Sequence, residues 1–283
     1  MKPLAQVVVF VALVFAVPWV VGPFLPQQPQ NTWETILSYL PGVWAPTVIA
    51  LIMILATRGV PSLRHELSER FRIAPASGVW LVGALTIPAV VTATGLLIAR
   101  AAGDRQSFIP ASVFGIVVLN ASTTGAVGEE LGWRGFVLSR LNERMSPPAS
   151  AIVMAALWTL WHLPIFLFPD SPYASWPLVP ALLTIMAFGL LMATLFHRAQ
   201  GSIVPTIVAH LSLNVSLGVG GVQLSSDIFW WVLAAMFLLI AALNWRVLNR
   251  GPQPAQKAVD ARSPFPVSSG EWQVPSGKCL VAL

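Results

Sequence analysis

Glu129 and Glu130 stand side by side in Gly128-Glu129-Glu130-Leu131-Gly132-Trp133-Arg134-Gly135, inside a long apolar stretch. On a helix, adjacent side chains point about 100° apart, so the two carboxylates cannot serve one partner equally. Glu130 and Arg134 are spaced i, i+4, which puts an ion pair on one helix face. Glu129 is left without that cation. A carboxylate in apolar surroundings with no counter-ion is suited to take a proton from water, the work of a general base. A clasp between helices accounts for Glu130 and Arg134 as well as a supporting role in a site does; it accounts for Glu129 much less well.

Two further groups carry ionisable or hydrogen-bonding side chains, Trp158-Thr159-Leu160-Trp161-His162-Leu163-Pro164 and His210-Leu211-Ser212-Leu213-Asn214. Trp158 lies one turn before His162 and is placed to pack on its ring. Pro164 removes a backbone donor and can open the helix locally. His210 and Asn214 share one face. Either group alone would serve as a polar seam between helices. Ser212 and Ser216 lie near His210, but no G-x-S-x-G elbow accompanies them, which argues against serine catalysis.

The elements that must position these residues are membrane helices. Of 283 residues, 56% are hydrophobic and only 10% charged, against roughly 25% charged in a soluble domain. This excludes a soluble enzyme, a disordered chain and a disulfide-stapled secreted module. The single cysteine, Cys279, excludes an internal disulfide and a Cys-based zinc site. The net charge of +5 is not gathered into a contiguous basic patch, so nucleic acid is not an expected partner. Crossing a hydrocarbon core takes roughly 20 apolar residues. Eight stretches qualify, at about 4–25, 38–57, 78–100, 110–141, 148–168, 176–196, 202–222 and 228–248. Their apolar runs are continuous rather than alternating, which excludes transmembrane β-strands. The expected fold is an all-α, polytopic membrane helix bundle of about eight transmembrane helices, occupying residues 1–250.

The first stretch ends at Pro23 and Pro26 with no A-x-A site, and reads as a permanent anchor rather than a signal peptide. Alternating the helices from an inner N-terminus puts 14 of the 16 Lys and Arg on one side, including Arg134, Arg140 and Arg144, and leaves Arg100 and Arg105 on the other. The positive-inside rule then implies a multi-pass protein of the cell membrane with both termini cytoplasmic. Residues 58–76 carry four arginines and read either as an interfacial helix meeting anionic headgroups or as a solvated loop. His65 and His197 read as surface residues, and Asp170 and Asp227 as parts of outer loops. Trp19, Trp33, Trp44, Trp80, Trp176, Trp230, Trp231 and Trp245 lie mostly near helix ends, as in an aromatic belt. The tail at 251–283 is rich in Pro, Gly, Ser and Gln, a composition that predicts disorder. Its Cys279 is fifth from the end, one place off a C-a-a-X box.

Depth links the three polar groups. Glu129 is about 15 residues from Arg144, His162 about 15 from Pro147 and His210 about 12 from Arg198, which places them roughly 18–23 Å from the charged ends. Ionisable groups so deep are costly unless paired or water-facing. One shared, water-accessible site is the reading that accounts for all of them.

In order, E-E-x-x-x-R, aromatic-x-x-x-H and H-x-x-x-N on successive membrane helices resemble the CPBP (CAAX protease and bacteriocin-processing) family, which includes the type II CAAX prenyl endopeptidases. The surrounding wording, GEELGWRGFVL, LWTLWHLP and GSIVPTIVAHLSLN, is similar too, over about 110–222. Trp158 stands where the family most often has Phe. The resemblance implies an intramembrane endopeptidase in which Glu129 acts with His162 to activate water. His210 and Asn214 would stabilise the oxyanion, while Glu130, Arg134 and Trp158 support the site. The implied partners are the lipid bilayer and a peptide or membrane-anchored protein, including prenylated CAAX-type substrates. Glu129, His162 and His210 are the set that would hold one divalent metal such as zinc, although no H-E-x-x-H is present; the version without metal is slightly preferred. A non-proteolytic scaffold or bacteriocin-immunity protein is the alternative from another class. A proton-coupled transporter is a third, disfavoured because no internal repeat is evident.

Overall fold

The computed structural model describes residues 1–21, 32–73, 78–104, 110–167, 173–219 and 225–249. The tail at 251–283, Pro23, Pro26, Arg105, Asp170 and the side chains of Trp19 and Trp33 lie outside the described residues. Helices occupy all eight expected stretches, and there is no strand among the described residues. They are α1 (Pro3–Val21), α2 (Thr32–Arg70), α3 (Gly78–Ala101), α4 (114–142), α5 (Pro147–Leu167), α6 (Leu178–Arg198), α7 (Val204–Val219) and α8 (Asp227–Asn249). The protein is an all-α, multi-pass membrane bundle.

Five helices are long and apolar enough to cross a membrane, within Leu40–Arg70, Gly78–Ala101, Pro147–Leu167, Leu178–Arg198 and Asp227–Arg246. Pro3–Val17, Ala111–Ala121 and Val204–Val219 are shorter apolar pieces. Two of these contrasts with eight full spans have visible causes. The apolar part of α4 stops where the polar site begins, and α7 starts only after a turn in which Gln200 and Gly201 take φ of 56° and 88°. Val8, Val79, Leu97 and Leu239 are exposed, whereas Phe10, Trp133, Phe136, Phe188, Phe229 and Phe237 are buried between helices. Apolar side chains therefore both fill the interior and form the exterior, as a hydrocarbon solvent requires.

The helix that carries Glu129 and Glu130 is irregular where it matters. Two π-helical segments, Ser122–Ala126 and Leu131–Leu138, flank one α turn, Val127–Glu130. Such widened turns re-phase side chains and recur at functional sites. Glycines let this helix approach α2 closely. A Cβ at Gly128 would lie 2.7 Å from the Val43 carbonyl oxygen, and one at Gly132 would lie 2.5 Å from the Pro46 backbone.

Within the stretch at 58–76, a helix begins after Gly59, as one of the two expected readings has it. Gly59, at φ 77° and ψ 177°, breaks α2 in a region that glycine enters without steric cost, and 60–70 continues as a helical arm. Arg64 and His65 are exposed, but the arm's other charges are engaged by protein. Glu66 accepts two hydrogen bonds from Arg140, at 2.9 and 2.8 Å, and Arg140 also donates to Gln6 at 3.4 Å. The Arg70 carbonyl accepts from Ile203 N–H at 2.8 Å, while its guanidinium donates to the Gly201 carbonyl at 3.2 Å. One arm thus ties α1, α4 and the α6–α7 turn together at one end of the bundle.

Arg134 and Arg140 are 0% and 2% exposed, buried with their carboxylate partners. Three sequence readings need correction. His197 is half-buried against Phe196 rather than on the surface. Trp230 is buried and packs on Trp176, ring centroids 4.6 Å apart, so it belongs to the interior and not to a lipid-facing belt. Asp227 opens α8 instead of lying in a loop.

Two substitutions test this packing by thermal unfolding in detergent. Gly132→Ala forces a side chain into the α2 backbone and is expected to cost about 1–3 kcal/mol. Glu66→Ala strands a buried guanidinium and is expected to cost about 3–5 kcal/mol.

Candidate active site

Oε1 of Glu130 accepts a hydrogen bond from Arg134 Nη1 at 2.9 Å, on the i, i+4 spacing expected from sequence. The same oxygen accepts from His210 Nδ1, also at 2.9 Å. Because the carboxylate accepts, Nδ1 carries the hydrogen and Nε2 faces the other way. Glu130 and Arg134 are completely buried, so each requires the other's charge to remain there.

Glu129, one residue earlier and on a different helix face, is held by another partner. Its Oε2 accepts from the Trp158 indole Nε1–H at 2.8 Å. Trp158 does pack against His162, as expected, but edge-on at 4.8 Å between ring centroids. It makes a similar edge contact with His210 at 5.6 Å, and the Arg134 guanidinium carbon lies 4.2 Å from its ring centroid. His162 donates through Nδ1 to the Trp158 carbonyl at 2.8 Å, which leaves Nε2 as the ring's proton acceptor. Pro164 does not interrupt α5, which runs on to Leu167.

Asn214 joins the group at Gly125. A Cβ added there would lie 2.8 Å from Asn214 Nδ2, 3.3 Å from His210 Nε2 and 3.5 Å from Glu129 Oε1. An amide donor, an imidazole nitrogen and a carboxylate oxygen therefore converge on one point, kept clear by the absence of a side chain. Sequence reasoning missed Gly125; the available signal was a glycine one turn before Glu129. It also missed the bond from Trp158 to Glu129 and that from His210 to Glu130, since both join different helices. Ser212 donates to the Leu85 carbonyl of α3 at 2.6 Å, a helix–helix link and not a nucleophile's setting.

Glu129, Glu130, Arg134, Trp158 and His210 thus form a bonded or ring-contact network, with Asn214 across Gly125 and His162 against the indole. Among the described residues no three His, Cys, Asp or Glu side chains are grouped so as to hold a metal ion.

Residues 111–216 match the family model of type II CAAX prenyl endopeptidase Rce1-like proteins. The chain is also 25% identical over 211 residues to CAAX prenyl protease 2 of Methanococcus maripaludis, covering 70% of this chain and 78% of that protein. Over this region the chain is similar to type II CAAX prenyl endopeptidases. The matched region runs from the start of α4 almost to the end of α7 and contains all seven residues singled out from sequence. The convergence at Gly125 sets a carboxylate oxygen beside an imidazole nitrogen and an amide donor, the types of group that acyl transfer can use.

Gly125→Ala tests that convergence. Its methyl group would displace the Asn214 amide from its position, so kcat is expected to fall about 100-fold, the scale of losing one oxyanion donor. The crowded neighbours are side-chain ends, so the melting temperature should change little.

Proposed function

We propose that this protease hydrolyses a peptide bond of a membrane-associated substrate with water activated by Glu129. The observation that carries the reading is the approach of Glu129 Oε1, His210 Nε2 and Asn214 Nδ2 to within 3.5 Å of one point. Glu129 Oε1 removes a proton from water as the water oxygen attacks the scissile carbonyl carbon. The developing oxyanion accepts hydrogen bonds from Asn214 Nδ2–H and His210 Nε2–H, donors set in place before charge develops. The carbon–nitrogen bond then breaks, and the proton held by Glu129 passes to the departing amine. His162, with Nε2 as acceptor, assists the proton transfers. No metal takes part in this scheme.

Charge balance supports the donor role of His210. Glu129 and Glu130 bring two negative charges and Arg134 one positive charge. A protonated His210 makes the group neutral and places a hydrogen on Nε2 while Nδ1–H stays on Glu130. Glu130 then orients and stabilises an imidazolium, as the carboxylate of a catalytic triad does.

The relative of Methanococcus maripaludis is a CAAX prenyl protease by name, and prenylated CAAX-type peptides are the substrate class we assign to this chain. The positive-inside rule assigns both termini to the cytoplasmic side in this proposal. The end of the bundle that holds the start of α1, the arm of α2, the end of α4 and the α6–α7 turn is then the inner one.

The test is peptide cleavage by purified protein in nanodiscs, with prenylated CAAX peptides beside unprenylated hydrophobic ones. Glu129→Gln is expected to lower kcat at least about 100-fold, the scale of general-base catalysis, while the protein stays folded. Chelator is expected to leave the wild-type rate unchanged. An active Glu129→Gln variant would overturn the role of Glu129, and loss of activity with chelator, restored by added zinc, would overturn the metal-free scheme.

A further inference from the structure

Trp158 touches more of the site than any role in packing requires. Its N–H donates to Glu129 Oε2 at 2.8 Å, its face receives the Arg134 guanidinium, and both imidazoles stand nearly perpendicular to it. Phe188 packs on it as well, with ring centroids 6.3 Å apart. The indole is 3% exposed and closely walled. A Cβ at Gly189 would lie 3.4 Å from Trp158 Cε3 and 3.0 Å from the Ala155 side chain. Gly189 thus makes the room that a two-ring side chain needs between α5 and α6. Packed against Arg134, both imidazoles and Phe188, the indole cannot swing, and a hydrogen bond from it holds the acceptor as firmly as the ring itself is held.

We infer that Trp158 is a positioning residue for the reaction, whose indole N–H fixes the Glu129 carboxylate so that Oε1, and not Oε2, takes the proton from water. This rests on the reading of Glu129 as the base. The two carboxylate oxygens have separate employment: Oε2 is tied to Trp158, and Oε1 points to the space at Gly125 where His210 Nε2 and Asn214 Nδ2 also arrive. Without the N–H, rotation about the terminal carboxylate torsion is soft. Either oxygen can then approach the site, and neither is held in line with the water.

The rival explanation is that a buried indole simply requires an acceptor and Glu129 happens to be near. Trp158→Phe separates the two, since it keeps an aromatic ring in the slot and removes the donor. Replacement of Trp158 by benzothienylalanine, introduced by amber suppression, goes further, because sulfur replaces N–H while the bicyclic shape is retained. The positioning role predicts that both variants lose kcat by about 10- to 100-fold, the scale of a hydrogen bond to a charged group. KM should stay within about twofold, since the bond acts on the base and not on the substrate. The acid limb of the kcat–pH profile should be displaced in both variants, and the melting temperature of the benzothienylalanine protein should match wild type. A benzothienylalanine protein with wild-type kcat and pH profile would overturn the inference whatever Trp158→Phe does, because only the N–H has gone. Glu129→Gln, assayed alongside, tells the two levels apart. An inactive Glu129→Gln with a fully active benzothienylalanine protein sinks the positioning role alone, whereas an active Glu129→Gln sinks the reading beneath it.

Discussion

One oxygen, Oε1 of Glu130, receives hydrogen bonds from Arg134 on its own helix and from His210 on α7. All three groups are buried, where a carboxylate or guanidinium without its partner is costly, so they persist only together. The shared oxygen locks α4 to α7 and holds the hydrogen of His210 Nδ1 on Glu130. It also turns Nε2 toward Gly125, where Asn214 Nδ2 and Glu129 Oε1 arrive from other positions. Glu129 is released from this pairing by its own phase on the helix. It is free to meet Trp158 on α5, and three helices are thereby joined by adjacent residues of one turn.

That turn sits where the backbone can tolerate it. The π-helical segments before and after Val127–Glu130 alter the phase of α4 on both sides of the carboxylates. Gly128 and Gly132 bring α2 against the α4 backbone, so the polar turn is backed by a packed helix rather than by lipid. At the same end as the α4 terminus, the arm beyond Gly59 binds Arg140 of α4 through Glu66 and the start of α7 through Arg70. The helix bearing both glutamates and the helix bearing His210 and Asn214 are therefore braced twice, at the site by Glu130 and at the bundle's end by one segment of α2. Both braces are ionic or hydrogen-bonded, which suits a solvent that gives apolar surfaces little reason to associate.

Much of this was legible in the chain. Composition and the length of apolar runs determined an all-α membrane bundle, and all eight expected stretches are helical, because those properties depend only on local residues and the bilayer's dimensions. The i, i+4 spacing determined the Glu130–Arg134 pair, and the same periodicity put Trp158 against His162 and His210 on one face with Asn214. Those are statements about single helices, where 3.6 residues per turn settles which side chains are neighbours.

What joins one helix to another was decided by tertiary structure alone. Arg140 was counted only as one of the basic residues, and its pairing with Glu66 appears only in the fold. The helix after Gly59 was one of two expected readings, but no local signal shows that its Glu66 will meet a residue 74 positions away. Gly125 carried no chemistry of its own; its role exists only because three polar atoms from two helices point at the place a side chain would fill. The indole of Trp158 likewise became a hydrogen-bond donor to Glu129 once α5 was set beside α4. The sequence by itself determined the membrane helices and which polar residues are neighbours on each of them. Their convergence depends on helix rotations and close approaches, which are set by packing among all the helices at once and are written in no single segment.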